Sequence, residues 1–289
     1  MSATDGQGIT KMPTGIEGFD EITGGGLPRG RSTLLLGEPG TGKTVFSLQN
    51  LVNGFQRWGE PGIFVAFEEN TSAILANAHS FGWGLARLRD NGIFFLDARL
   101  PPDVIVAGAF DLNGLLATIG VKAREMGAKR VVFDAVDVLL HLMQDPIAER
   151  QELSRIEAWL RESGLTGIIT LGVSQFAESG SASLLRYVTF MSDCVVQLQQ
   201  RVVDRVSLRT LRVVKYRGSA FAENEFPMVI GPSGIDVASF GITSADLDYP
   251  VYTDRVSTGV EQLDAMIGGG YLRGSSVLIT GAPGTAKST

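Results

Sequence analysis

Three observations predict an α/β protein with a doubly wound, mostly parallel sheet and antiparallel strands appended at its edge. Apolar runs alternate with helical segments up to residue 193 of the 289. A glycine-rich phosphate-binding pattern joins the first of these runs to the first long helix. A 32-residue phrase, 14–45, recurs at 258–289 without a gap and with 16 identical positions; two copies so far apart mark a duplicated domain, not a solenoid unit. The expected organisation is one complete nucleotide-binding domain over 1–230, a linker over 231–257 and the start of a second domain over 258–289.

In chain order, strands are expected at 32–36, 62–67, 93–96, 130–133 and 167–173. Several are near-continuous apolar runs such as Val131-Val132-Phe133, the pattern of a parallel sheet covered on both faces. Helical spacing predicts helices over 44–58, 71–81, 112–126 and 146–163, the last amphipathic and rich in charge. After Asp193 the pattern changes to strands without helices, at 194–198, 207–214 and 226–230, as in hairpins added to a sheet edge. Gly, Pro, Ser and Asp punctuate 231–257 and read as a linker.

The loop Gly37-Glu38-Pro39-Gly40-Thr41-Gly42-Lys43-Thr44 matches G-x-x-x-x-G-K-[ST] in full and lies between an apolar run and a helix, the context that confirms a P-loop. Its glycines let successive N–H groups turn inward around phosphates, and the following helix adds its positive end. Lys43 is expected to neutralise the β and γ phosphates, and the Thr44 hydroxyl to sit on Mg²⁺. The second copy reads Gly281-Ala282-Pro283-Gly284-Thr285-Ala286-Lys287-Ser288. Ala286 replaces a glycine there, which is tolerable only where φ stays negative.

Three further features supply the rest of an ATP-hydrolysing site. Val131-Val132-Phe133-Asp134 has the form of a Walker B strand, with Asp134 helping to hold Mg²⁺; Asp137, three residues on, reads as a cap or surface residue. Phe67-Glu68-Glu69 ends the second strand, and in a doubly wound sheet the carboxyl ends of the strands face the ligand crevice. Either glutamate could polarise the attacking water as a general base, and strand alternation turns only one of them toward the nucleotide. The plain alternative is a solvated acidic loop. Lys215 and Arg217, two apart, share one face of a strand. They suit an arginine finger delivered to a neighbouring subunit, or equally a charged edge strand that discourages aggregation.

Composition bounds the class. With 44% hydrophobic and 19% charged residues, the chain is a globular protein with room for a large core. No apolar run reaches membrane-span length, and 1–11 lacks the form of a signal peptide. The single cysteine, Cys194, permits no internal disulfide and fits a reducing cytoplasm; within Cys194-Val195-Val196 it reads as a packed core thiol. His79 and His141 have no companions at metal-ligand spacing. A net charge of −6 argues against broad nucleic-acid binding.

The runs 13–20, 24–30 and 37–44, Phe67-Glu68-Glu69, Ser80-Phe81-Gly82-Trp83, Phe110-Asp111-Leu112, Ser192-Asp193 and Lys215-Tyr216-Arg217-Gly218 together resemble the KaiC family. These are two-domain clock ATPases and autokinases of the RecA superfamily. The resemblance covers nearly the whole chain, as an N-terminal domain followed by the start of a C-terminal one. It implies a RecA-like P-loop NTPase fold and a cytoplasmic homohexameric ring with ATP and Mg²⁺ between subunits. Lys43, Thr44, Glu68, Glu69 and Asp134 would come from one subunit, and Lys215 and Arg217 from the next. It further implies slow hydrolysis in the N-terminal ring, Ser/Thr autophosphorylation by the C-terminal ring, and a KaiB-like partner near 104–111. Two other classes share the ATP site. A RecA-type recombinase or helicase would need basic DNA-binding loops, which this acidic chain does not advertise. A signalling scaffold assembled by ATP would keep partner binding when turnover is lost.

Overall fold

The computed structural model describes residues 9–99, 111–143, 145–173, 182–239 and 252–282. The chain divides into two units, Met1–Ile242 and Thr243–Thr289. The first opens with β1 (Lys11–Met12), α1 (Phe19–Ile22) and β2 (Leu27–Pro28). It continues through β3 (Ser32–Gly37), α2 (Lys43–Trp58), β4 (Gly62–Ala66), α3 (Thr71–Asn77), α4 (Leu85–Asn91), β5 (Ile93–Asp97), α5 (Leu112–Met126) and β6 (Arg130–Asp134). Next come α6 (Val136–His141), α7 (Pro146–Ser163), β7 (Thr166–Leu171), α8 (Ala182–Met191), β8 (Cys194–Val203), β9 (Val206–Tyr216), β10 (Glu225–Gly231) and β11 (Gly234–Val237).

One nine-stranded sheet runs in the order β11-β10-β9-β8-β3-β7-β6-β4-β5. From β8 to β5 every neighbouring pair is parallel, and β8 through β11 form an antiparallel meander at the edge. The central strands β3, β4, β6 and β7 are buried along their whole length, which is why they read as unbroken apolar runs. Alternation divides their side chains between two cores. Leu35, Phe64, Val132 and Ile168 pack with Phe46 and Leu48 of α2. Leu34, Ile63, Val131 and Ile169 pack with helices α5 to α7 on the other face. The chain leaves β3 toward β4 and β5, then returns through β6 and β7, so the carboxyl ends of β3, β7 and β6 border the crevice where such sheets bind ligands.

Local signals set the helix ends. The Asp145 side chain accepts from Ile147 N–H with Pro146 at the first turn of α7, and left-handed Gly164 closes that helix. Left-handed Gly42 and Gly59 bracket α2.

The elements differ from expectation in several places, and helices α1, α6 and α8 have no counterpart among the expected ones. The helix expected over 71–81 ends at Asn77 and tightens into a 3₁₀ turn, Ala78–Phe81. Left-handed Gly82 and Gly84 then separate it from α4, which was not foreseen. The β8–β9 hairpin runs on to Val203↔Val206, because Asp204 and Arg205 both take positive φ and close a tight turn. Residues 234–237, assigned to the linker, are instead β11, paired from Gly231↔Gly234 to Met228↔Val237.

The second unit contains β12 (Arg255–Val256), α9 (Glu261–Met266) and β13 (Tyr271–Leu272). It reproduces the opening turn of the first unit. Thr14 N–H and Oγ1 donate to Asp20 Oδ1 at 2.9 and 2.7 Å; Thr258 N–H and Oγ1 donate to Asp264 Oδ1 at 2.8 and 2.6 Å. A Cβ on Gly26 would meet Met12 O at 2.2 Å, and one on Gly270 would meet Val256 O at 2.1 Å. What differs is the cover: Ile22 and Leu34 are core residues, whereas their counterparts Met266 and Leu278 are 83% and 87% exposed.

At the amino edge of the sheet, Arg130 is 1% exposed. Its guanidinium donates to Glu60 Oε2 at 2.9 and 2.5 Å and to Asn50 Oδ1 at 2.7 Å, tying β6 to the end of α2. Glu60→Ala would leave that charge buried without its partner, so it should lower the unfolding free energy by about 3 kcal/mol in urea denaturation.

Candidate nucleotide site

The P-loop leaves β3 at Gly37 and enters α2 at Lys43. It is shaped by close approaches that only glycine permits: a Cβ on Gly37 would meet Thr41 Oγ1 at 2.5 Å, and one on Gly42 would meet Ile230 Cδ1 at 2.8 Å. Gly40 and Gly42 have φ of 81° and 103°. Buried Thr41 donates its hydroxyl to Glu38 O at 2.7 Å and so holds the loop closed on itself. Glu38, Pro39 and Gly40 are exposed, and the first N–H groups of the 16-residue helix α2 follow Gly42 with no side-chain cap. An anion is the natural ligand for such groups.

Lys43 Nζ folds back on the loop, donating to Gly37 O at 2.8 Å and Glu38 O at 3.2 Å. Burial lowers its pKa, opposed by the carboxylates of Asp137, Asp134, Glu38 and Glu68. Asp134, at the end of β6, accepts from Thr44 Oγ1 at 3.0 Å through Oδ2 and from Thr170 Oγ1 at 2.8 Å through Oδ1. Its backbone carbonyl accepts from Phe67 N–H at 3.1 Å, and Ala135 N–H donates to Thr170 Oγ1 at 2.8 Å. β6, the P-loop helix, β7 and the end of β4 thus meet at one aspartate.

Asp137 overturns its reading as a cap or surface residue. It is 5% exposed, its Oδ1 is buried without a hydrogen-bond partner among the described residues, and a Cβ on Gly172 would lie 3.0 Å from its Oδ2. Burial raises its pKa, opposed by backbone amides, Lys43 and His141. The signal that could have found it is helical spacing: in α6 the residues Val136, Asp137, Leu139 and Leu140 are all buried, so Asp137 falls on the inward stripe.

The two glutamates separate. Glu68 is within electrostatic reach of Lys43 and lines a cleft with Phe67, Ala98 and Val138. Glu69 turns toward Asn77, whose Nδ2 donates to it at 3.4 Å. Asn70 next to them caps α3 by accepting from Ala73 N–H.

Lys215 and Arg217 are elsewhere. Lys215 pairs with Val195 in the β8–β9 ladder, level with Leu34 of β3. Its Nζ donates to the carbonyls of Thr189, Phe190 and Ser192 at 2.8, 2.8 and 2.7 Å. The Arg217 side chain is 42% exposed and lies 3.8 Å from Asp193 Oδ1, the same carboxylate that pairs with Arg31 just before β3. The pair is therefore held toward the amino edge of the sheet, on the side of Asp193 and Arg31, with Lys215 three strand residues, roughly 10 Å along the strand, short of Gly37 of its own P-loop. Cys194 is a buried thiol pushed up to about 12 by burial, a core residue and not a nucleophile. Among the described residues no cluster of His, Cys, Asp and Glu is arranged to hold a metal ion, and no helix is long and apolar enough to cross a membrane. Residues 104–110, expected near a partner site, and 283–289 of the second loop lie outside the described residues.

The family model for the KaiC ATPase matches residues 12–240 and 256–289. The chain is 43% identical over 286 residues to circadian clock protein KaiC2 of Synechocystis sp., covering 97% of this chain and 49% of that protein. It is 42% identical to the circadian clock oscillator protein KaiC of Parasynechococcus marenigrum, over 97% of this chain and 54% of that one. To the protein of the same description from Synechococcus elongatus it is 42% identical, over 98% and 54%. The chain thus spans about half the length of these curated relatives.

The Asp134 carboxyl is pushed up to about 6 by burial, against its two hydroxyl hydrogen bonds and Lys43. A carboxyl raised in the folded state binds more protons folded than unfolded, so its contribution to stability is full below the unfolded pKa and is lost as pH rises through about 6. Urea denaturation of nucleotide-free protein should show a loss on the order of 3 kcal/mol between about pH 4 and 6 from this group. Asp134→Asn should flatten that slope.

Proposed function

The chain belongs to the KaiC family of ATPases, and from that premise we propose that it binds and slowly hydrolyses Mg-ATP at sites shared between the subunits of a homohexameric ring. The separation of the P-loop and the Lys215–Arg217 pair onto opposite edges of one sheet carries this reading. One subunit cannot close its own site, whereas a neighbour presenting its amino edge can. P-loop N–H groups and Lys43 hold the β and γ phosphates, and Thr44 with Asp134 would hold Mg²⁺. These two residues fit a hard cation: a buried carboxylate already in contact with a hydroxyl is an oxygen donor set on a rigid strand end. When bound, the ion neutralises phosphate charge that Lys43 alone leaves uncompensated. Glu68 is the general base, because it and not Glu69 shares the electrostatic field of Lys43. Arg217 approaches the γ-phosphate of the adjacent subunit, where a finger stabilises charge developing in the transition state.

The relatives are named as clock proteins, and a role in circadian timing is proposed for this chain on that ground. Ser/Thr autophosphorylation by a C-terminal domain and a KaiB-like partner near 104–111 are proposed from the same family membership.

Mixing variants tests the shared site. Lys43→Ala and Arg217→Ala should each abolish most ATP turnover, yet an equimolar mixture of the two should regain part of it, because some interfaces then pair an intact P-loop with an intact Arg217. No recovery on mixing, with ring assembly verified by mass in solution, would place both residues in one subunit's site and sink the proposal. Glu68→Gln should lower turnover by about 10²-fold or more, while Glu69→Gln stays within a few-fold of wild type.

A further inference from the structure

The two cations at the amino edge are mounted on backbone carbonyls. Lys215 Nζ directs all three of its hydrogens at the carboxyl-terminal end of α8, to Thr189, Phe190 and Ser192. Arg217 donates to Phe190 O at 2.6 Å, and both cations face the Phe190 ring, at 5.8 and 5.7 Å. The direction of the pair is therefore set by the peptide groups of 189–192. Those groups are fixed from behind. Ser192 is fully buried; its N–H donates to Val188 O at 3.0 Å and its hydroxyl to Glu157 Oε1 at 2.8 Å, with Val188 O at 3.0 Å as its other acceptor.

Glu157 is an unexpected residue for its place. It lies in the buried stripe of α7 with Leu153, Ile156 and Leu160, where an apolar side chain would stabilise the helix more. A buried carboxylate met by the hydroxyls of Ser192 and Ser32 is weak support for stability. Burial pushes its pKa up, against the Ser32 and Ser192 hydroxyls and Arg161, while Asp193 adds to the rise.

We infer that Glu157 is a positioning residue for the Lys215–Arg217 pair, fixing Ser192 and through it the carbonyls on which both cations are aimed. The inference rests on the shared-site reading above. Its effect is on the neighbour's reaction and not on nucleotide capture, since the P-loop that binds ATP belongs to the other subunit. Misplacement of a catalytic group by about 1 Å lowers rates by on the order of 10²-fold.

Steady-state ATP turnover of the full-length protein, with thermal unfolding measured in parallel, tests this. Glu157→Leu should lower kcat by about tenfold or more while KM for ATP stays within about twofold. Glu157→Gln, which keeps an oxygen for the Ser192 hydroxyl, should recover most of that loss. In an Arg217→Ala background, Glu157→Leu should add less than about twofold, as expected for residues acting in series. Ser192→Ala cuts the same relay with a smaller change and should lower kcat several-fold, so it decides the matter if Glu157→Leu does not fold. Wild-type kcat in Glu157→Leu or Ser192→Ala, with Arg217→Ala impaired, would overturn the positioning role and leave the shared site standing. Full additivity with Arg217→Ala, with kcat and thermal stability falling together, would likewise overturn it. Wild-type turnover in Arg217→Ala would remove the shared site and this inference with it.

Discussion

Asp134 joins four elements at the carboxyl edge of the sheet, through its carboxylate and its backbone carbonyl. Thr44 brings the P-loop helix to it and Thr170 brings β7, while the Asp134 carbonyl receives the Phe67 N–H that ends β4. In a sheet buried on both faces the apolar pattern alone specifies strand register less sharply than in a sheet with one solvated face. Polar contacts of defined length at the strand ends oppose that freedom. The same arrangement leaves the carboxylate buried with a pKa near 6, so the group that organises the site also carries stored electrostatic tension. A cation placed against it would relieve that tension, and a preorganised polar site of this kind binds without first rearranging.

Charge is divided between the two edges of the sheet. At the carboxyl edge one lysine faces Asp137, Asp134, Glu38 and Glu68, a field with carboxylates in excess. At the amino edge Arg31, Lys215 and Arg217 surround Asp193, leaving positive charge in excess. In a chain with a net charge of −6, the two edges thus carry opposite local charge, which is the complementarity the shared-site proposal calls for. Such complementarity selects orientation and speeds encounter more than it adds affinity.

The legible parts of this fold were those where one physical signal dominates. The P-loop was readable because its glycines answer to a single backbone requirement, and β3, β4, β6 and β7 because burial on both faces leaves unbroken apolar runs. The end of β8 was hidden because Gln199 to Val203 extend into solvent and carry no burial pattern, so pairing with β9 alone defines them. β11 was hidden by its glycine and aspartate, which read as punctuation until the pairing with β10 is known. Asp137 was missed because a charged residue after a Walker-type strand was read as solvent-facing, although its neighbours Val136 and Leu139 already pointed inward. The Lys215–Arg217 spacing was visible, but its anchoring on α8 was not, since carbonyl contacts leave no trace in residue type.

The placement of β3 has a consequence for how the molecule comes into being. Its ladder partners are β7 and β8, both made more than a hundred residues later than β3 itself. On a ribosome the P-loop emerges well before the strands that wall it on either side. Until residue 198 has been synthesised, the strand that carries the loop is an unpaired apolar edge of the kind that invites association. Competence to hold nucleotide therefore arrives late and all at once. Possession of a bound phosphate would report that the parallel part of the sheet, and not merely the motif, has been built.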